Sequence, residues 1–152
     1  MLEYDERLDF LTTFHSLAHL NFSPVLSQTS QGEFFVLAAI RKLEKLETKK
    51  NNGISGIADS LHVSSPAISR TITSLENKGL VQRNIDRLNR RNTRVQLTAL
   101  GDEVLNNECD MLCKFMSNVV NRMGEDKIKE LFRLSNELIE NVEKELGNDL
   151  TH

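Results

Sequence analysis

The sequence predicts a mainly helical α+β chain with one small β-hairpin. Apolar residues recur at helical spacing through most of its 152 residues. Only near Thr93–Leu97 does the period drop to two, and there polar and apolar residues alternate as in a half-buried strand. Just before it stand two short helical patterns separated by a tight connection.

The first helix is expected over about residues 5–22. Leu8, Leu11, His15 and Ala18 form one stripe and Phe10, Phe14 and Leu17 another, too wide an apolar surface for one buried side, so two neighbours are expected. The second begins with the capping box Ser30/Glu33, carries Phe34, Val36, Leu37 and Ile40, and ends in a polar surface loop, Glu47 to Gly53.

Of the two short patterns, the first starts with Ser55 as N-cap, places Ile57, Ala58 and Leu61 on one face, and stops at His62-Val63. In the second, Ser64 is the cap, Pro66 sits in the first turn where its missing N–H costs nothing, and Ile68, Ile72 and Leu75 must face the core. By subtraction the other face carries Ser65, Ala67, Ser69, Arg70 and Thr73, small or hydrogen-bonding residues plus one long cation. Such a face can lie close against base edges. Lys78-Gly79-Leu80 ends the helix with a cation, a left-handed cap and an apolar fold-back residue. Leu80, Val81 and Arg83 lead into the hairpin, whose tip, Asp86 to Asn92, holds Arg87, Arg90 and Arg91. An exposed loop with three arginines suits phosphates or a narrow minor groove. This is a winged helix-turn-helix pattern over residues 53–97.

After it, Thr98 caps a long helix with Leu105, Cys109, Leu112, Met116, Val120 and Met123 at apolar positions, and Gly124 interrupts it. A last helix, about residues 125–146, carries Ile128, Leu131, Phe132, Leu138, Ile139, Val142 and Leu146. A 45-residue winged domain cannot cover all these faces. Residues 1–46 and 98–148 are therefore expected to form a helical dimerisation region, with the second helix bridging to the winged part, and the chain to be a homodimer.

Composition excludes more than it assigns. With 39% apolar and 27% charged residues the chain is an ordinary globular one, with no apolar run of membrane length and no signal-peptide pattern. Two cysteines without a framework of spaced pairs fit a reducing compartment, so a cytoplasmic location is expected. No Gly-rich phosphate loop, nucleophile elbow or histidine–carboxylate motif appears, so no enzyme and no cofactor is expected. The net charge of −3 divides unevenly: residues 54–101 hold seven bases and three acids, a charge of +4, leaving −7 elsewhere. That asymmetry presents a cationic surface to double-stranded DNA on an otherwise acidic chain.

Several short matches, in order, resemble the MarR family of bacterial transcriptional regulators. They are Ile57-Ala58, Leu61-His62-Val63-Ser64, Ile68-Ser69-Arg70, Leu75-Glu76, Lys78-Gly79-Leu80-Val81 with Arg83, Arg90-Arg91, and Leu97-Thr98-Ala99-Leu100-Gly101. The resemblance extends back to Ser30–Leu37, which is similar to the family's second helix. One position departs: before the arginine pair, where the family carries an acid, stands Asn89.

Residues and resemblance together give expected roles. Arg70 leads the base or phosphate contacts, with Ser64, Ser65, Pro66, Ser69 and Thr73 around it and Ala67 allowing close approach to a thymine methyl. The resemblance places Arg90 and Arg91 in the minor groove or on phosphate, with Arg87 and Arg94 serving the backbone. It implies a repressor released by a small apolar or aromatic effector, with Phe14, His15, Phe22 and Phe34 as candidate liners. Alternatives are a zinc-responsive regulator using His15, His19, Cys109 and Cys113, each pair at i, i+4, a redox-responsive one, or an interaction module that keeps the fold without specific DNA binding.

Overall fold

The computed structural model describes residues 3–46, 53–85 and 93–149. In chain order these form α1 (Tyr4–Ala18), a 3-10 turn (Ser23–Val25), α2 (Gln31–Lys45), α3 (Ile54–Leu61), α4 (Ser65–Asn77), β1 (Val81–Ile85), β2 (Thr93–Leu97), α5 (Ala99–Met123) and α6 (Glu125–Asp149). The chain divides into two compact units after Met111.

In the first unit α2 is the central element and packs against α3, α4 and β2. Its inner face, Val36, Leu37 and Ile40, meets a core of Ile57 and Ala58 from α3, Ile68, Ile72 and Leu75 from α4, and Leu80, Val81 and Val95 from the hairpin, all buried. Val104 and Leu105 of α5 are buried as well. The three expected α4 residues therefore face inward. The hairpin is antiparallel, with Val81 opposite Leu97, Arg83 opposite Val95 and Asn84 opposite Arg94.

Local rules fix most joints. Ser30 and Glu33 make both bonds of a capping box at the start of α2. Gly79 takes φ +72°, the left-handed conformation expected after α4. The Thr98 hydroxyl accepts from the Gly101 N–H at 3.0 Å, as a helix cap should, and donates to the Gly79 carbonyl at 2.6 Å. Gly101 is there for space: a Cβ would stand 1.9 Å from the Leu80 carbonyl oxygen.

Other joints differ from expectation. The first helix stops at Ala18 and residues 23–25 form a separate turn. The N-cap of α3 is Gly53, which puts Ser55 inside the first turn, and Ser64, although it is the α4 N-cap, makes no side-chain cap bond. α1 buries no residue at all, and Leu8, Leu11 and Leu17 are half-exposed or more.

In the second unit α5 runs on from Leu112 to Met123, Gly124 follows at φ +93°, and α6 begins at once. Ile128 is its buried apolar residue, while Leu131, Phe132, Ile139, Val142 and Leu146 are exposed along one side of α6. On the charged side of α6 Arg133 pairs with Glu130 and Glu137. Among the described residues no helix is long and apolar enough to cross a membrane.

Candidate nucleic-acid interface

The turn between α3 and α4 sets the direction of α4. His62 adopts a left-handed conformation, φ 53° and ψ 42°, and the Val63 N–H returns to the Ala58 carbonyl at 3.1 Å, which closes α3. Ser64 is extended, Pro66 presets the first turn, and α4 departs with its apolar side locked in the core.

With Ile68, Ile72 and Leu75 buried, Ser65, Pro66, Arg70 and Thr73 are exposed, as is Ser64 before them, and Ser69 is half-exposed. Ala67 differs from expectation. It is partly covered, and with Ile68 and Thr71 it lines a cavity rather than the outward face. The Thr73 hydroxyl is already engaged: it donates to the Ser69 carbonyl at 3.0 Å and accepts from Arg83 Nη2 at 3.2 Å. Asn77, one more exposed residue, stands seven after Arg70 on the same side. Sequence reasoning passed over it, although the i, i+7 spacing was there to be read.

Arg83 of β1 leans over α4, its buried Nε 3.0 Å from a Glu76 carboxylate oxygen in an ion pair misaligned for a hydrogen bond. Arg94 is exposed on β2. Arg87, Asn89, Arg90 and Arg91 lie outside the described residues.

On the other flank of α4 stands Glu33, 7% exposed. It accepts from the Ser30 N–H at 2.8 Å, the Ser74 hydroxyl at 2.8 Å and the Lys78 ammonium at 2.7 Å. Burial pushes its pKa up, but the Lys78, Ser30 and Ser74 hydrogen bonds outweigh it and hold the carboxyl down to about 2. Glu44, further along α2, accepts weakly from the Leu97 N–H at 3.3 Å, and burial raises its pKa. Glu108 of α5 is fully buried. One of its oxygens accepts from the N–H groups of Ser27, Gln28 and Thr29 at 3.0, 2.7 and 3.1 Å, and the other accepts from the Thr29 hydroxyl.

The cavity beside α4 has a volume of about 460 Å³, and Gly32, Phe35, Val36, Leu61 and Val63 complete its apolar wall. None of the expected effector liners is among them. Phe34 is buried with its ring edge-on to Phe35 at 5.5 Å, Phe22 is half-buried, and Phe14 and His15 are exposed on α1. Two adjacent helical residues point about 100° apart, and Phe35 is the one turned to the cavity.

The rings of His15 and His19 lie 4.2 Å apart, Cys109 is half-buried, and Cys113 is exposed. Among the described residues no group of three or more His, Cys, Asp or Glu side chains is placed to hold a metal ion.

The sequence model of the MarR family matches residues 30–93, the stretch that holds α2, α3, α4 and β1. The fold is similar to those of solved MarR-family transcriptional regulators. It is similar to BldR from Sulfolobus solfataricus, with 23% identity and a TM-score of 0.72 over 93% of this chain and 99% of that one. PcaV from Streptomyces coelicolor, solved in complex with its natural ligand, shares 16% identity at a TM-score of 0.69, over 92% of this chain and 96% of that one. The S. aureus MepR–DNA complex shares 14% identity at a TM-score of 0.64, again over 92% and 96%. In this chain α4 is the reading-helix candidate and the β1–β2 hairpin the wing candidate.

Proposed function

We propose that the chain is a sequence-specific DNA-binding transcriptional regulator, a homodimeric repressor that binds a pseudo-palindromic operator and leaves it on binding a small apolar or aromatic effector. The observation that carries this reading is the division of α4, with Ile68, Ile72 and Leu75 inward and Ser65, Pro66, Ser69 and Arg70 outward. Arg70 would supply the charged base or phosphate contact, the serines the short ones, and exposed Arg94 a backbone contact outside the helix. Arg87, Arg90 and Arg91 would extend that contact at the wing.

Dimerisation is supported by apolar surface without a cover. Leu8, Leu11 and Leu17 of α1, and Phe132, Ile139 and Leu146 of α6, are each about half-exposed or more. Exposed large apolar side chains grouped in this way mark interaction surfaces. A two-fold dimer would set two α4 helices about 34 Å apart, one helical turn of DNA. The apolar cavity beside α4 is large enough for a small aromatic effector. PcaV with its ligand and MepR with DNA are precedents for the two kinds of partner.

Selection of bound sequences from random duplex DNA at fixed salt, with sedimentation of the free protein, tests the reading. A palindromic winner and a dimer are expected. Binding that is weak, salt-sensitive and indifferent to sequence would overturn it.

A further inference from the structure

α4 is gripped on both flanks, and by charged groups that the reading face does not use. Along the helix, Ala67, Thr71, Ser74 and Lys78 form one flank and Ser69, Thr73 and Glu76 the other, with the core stripe between them and Pro66, Arg70 and Asn77 opposite it. On the first flank, Glu33 of α2 takes the Ser74 hydroxyl and the Lys78 ammonium at 2.8 and 2.7 Å. On the second, Arg83 of β1 holds the Glu76 carboxylate at 3.0 Å and the Thr73 hydroxyl at 3.2 Å. Both grips act on the C-terminal half of the helix.

The geometry points to Glu33 and Arg83 as a pair of positioning residues that fix the roll of the reading helix about its own axis. The inference rests on the proposal that α4 reads DNA. The apolar stripe alone leaves roll soft, because hydrophobic contact has no preferred direction. Two clamps of ion pairs and hydrogen bonds, pulling from opposite sides, remove that freedom. A roll of about 20° would carry a side-chain end 5–6 Å from the axis through about 2 Å. Hydrogen bonds to base edges tolerate only a few tenths of an ångström, so such a roll would scramble the register of Arg70. Glu33 is also the N3 member of the α2 capping box, bonded back to the Ser30 N-cap, which stiffens the anchor from which the first clamp acts.

The test uses the sign of the charge change. Glu33→Gln and Glu76→Gln each remove a negative charge near the proposed DNA face, and electrostatics alone would strengthen binding to every sequence. Positioning predicts the reverse for the preferred sequence: each variant in the full chain should lose about tenfold in the ratio of specific to non-specific affinity, the scale of one lost base contact, while non-specific affinity holds or rises. Ratios are measured well below the melting temperature with helix content confirmed by circular dichroism. Glu76 is half-exposed and outside the α2 cap, so Glu76→Gln keeps the test alive where Glu33→Gln loosens that cap. Variants that fold and keep the wild-type ratio would overturn the positioning role while leaving DNA reading intact. A wild-type chain with no preferred sequence would instead overturn the reading on which the role rests.

Discussion

The Glu33 carboxylate lies 2.7 Å from the Lys78 ammonium, joining the first turn of α2 to the residue that ends α4. The two are forty-five positions apart in the chain. Glu33 keeps its charge down to about pH 2 because three hydrogen bonds satisfy the ionised form and outweigh the cost of its burial.

That depressed pKa makes stability depend on acid. The folded pKa of Glu33, about 2, lies below its ordinary value of 4.5, so folding favours the ionised form. The contribution is fully present above about pH 4.5 and is lost as pH falls toward 2. Denaturant melts across that window should show wild-type stability falling by roughly 1–3 kcal/mol more than that of Glu33→Gln. Parallel pH curves for the two proteins would contradict the assignment.

Gly101→Ala should be among the most damaging small substitutions. The new methyl carbon would sit 1.9 Å from a backbone oxygen, which cannot swing aside as a side chain can. A loss of about 3 kcal/mol or more in chemical denaturation is expected, at or above the top of the usual range for overpacking. Ala99→Gly, two residues away on the exposed side, serves as the control and should cost about 1 kcal/mol or less.

Glu108→Gln should free the segment before α2. The carboxylate gathers three N–H groups and a hydroxyl, and an amide would offer one acceptor oxygen and an unwanted donor. Hydrogen exchange at Ser27, Gln28 and Thr29 should quicken by at least tenfold, with a loss of about 2 kcal/mol in stability. Unchanged protection at those amides would show that the loop holds itself.

Arg70→Ala and Arg94→Ala should separate reading from attachment. Loss of a base contact by Arg70→Ala should cost about 1–3 kcal/mol on the preferred sequence and relax one operator position. Arg94→Ala should weaken all sequences alike and lower the slope of log affinity against log salt by about one unit. Should Arg70→Ala act like Arg94→Ala, the arginine would be a phosphate contact only.

Much of this arrangement is legible in the chain because it is local. The Ser30/Glu33 capping box, the left-handed Gly79, the Thr98 cap and the inward set Ile68, Ile72 and Leu75 all follow from spacing within one or two helical turns. What stayed hidden depends on packing between distant segments. Glu33 reads as a helix cap, and nothing nearby in sequence announces Lys78 as its second partner. Glu108 meets amides about eighty positions away. Phe34 and Phe35 are equally aromatic, and only the seating of α2 on α3 and α4 decides which ring enters the core and which borders the cavity. Ala67 looks like a residue for close approach to a base until the cavity on its flank is seen.

The bare surface of α1 has a consequence for how the chain responds to its own abundance. A fifteen-residue helix is marginal in water by itself, and α1 shelters none of its side chains. Under the dimeric reading its order is supplied by mass action: dilution would fray it, and accumulation would restore it. The helical signal of α1 would then report subunit concentration, and a regulator made in few copies would become fully structured only as its own supply rises.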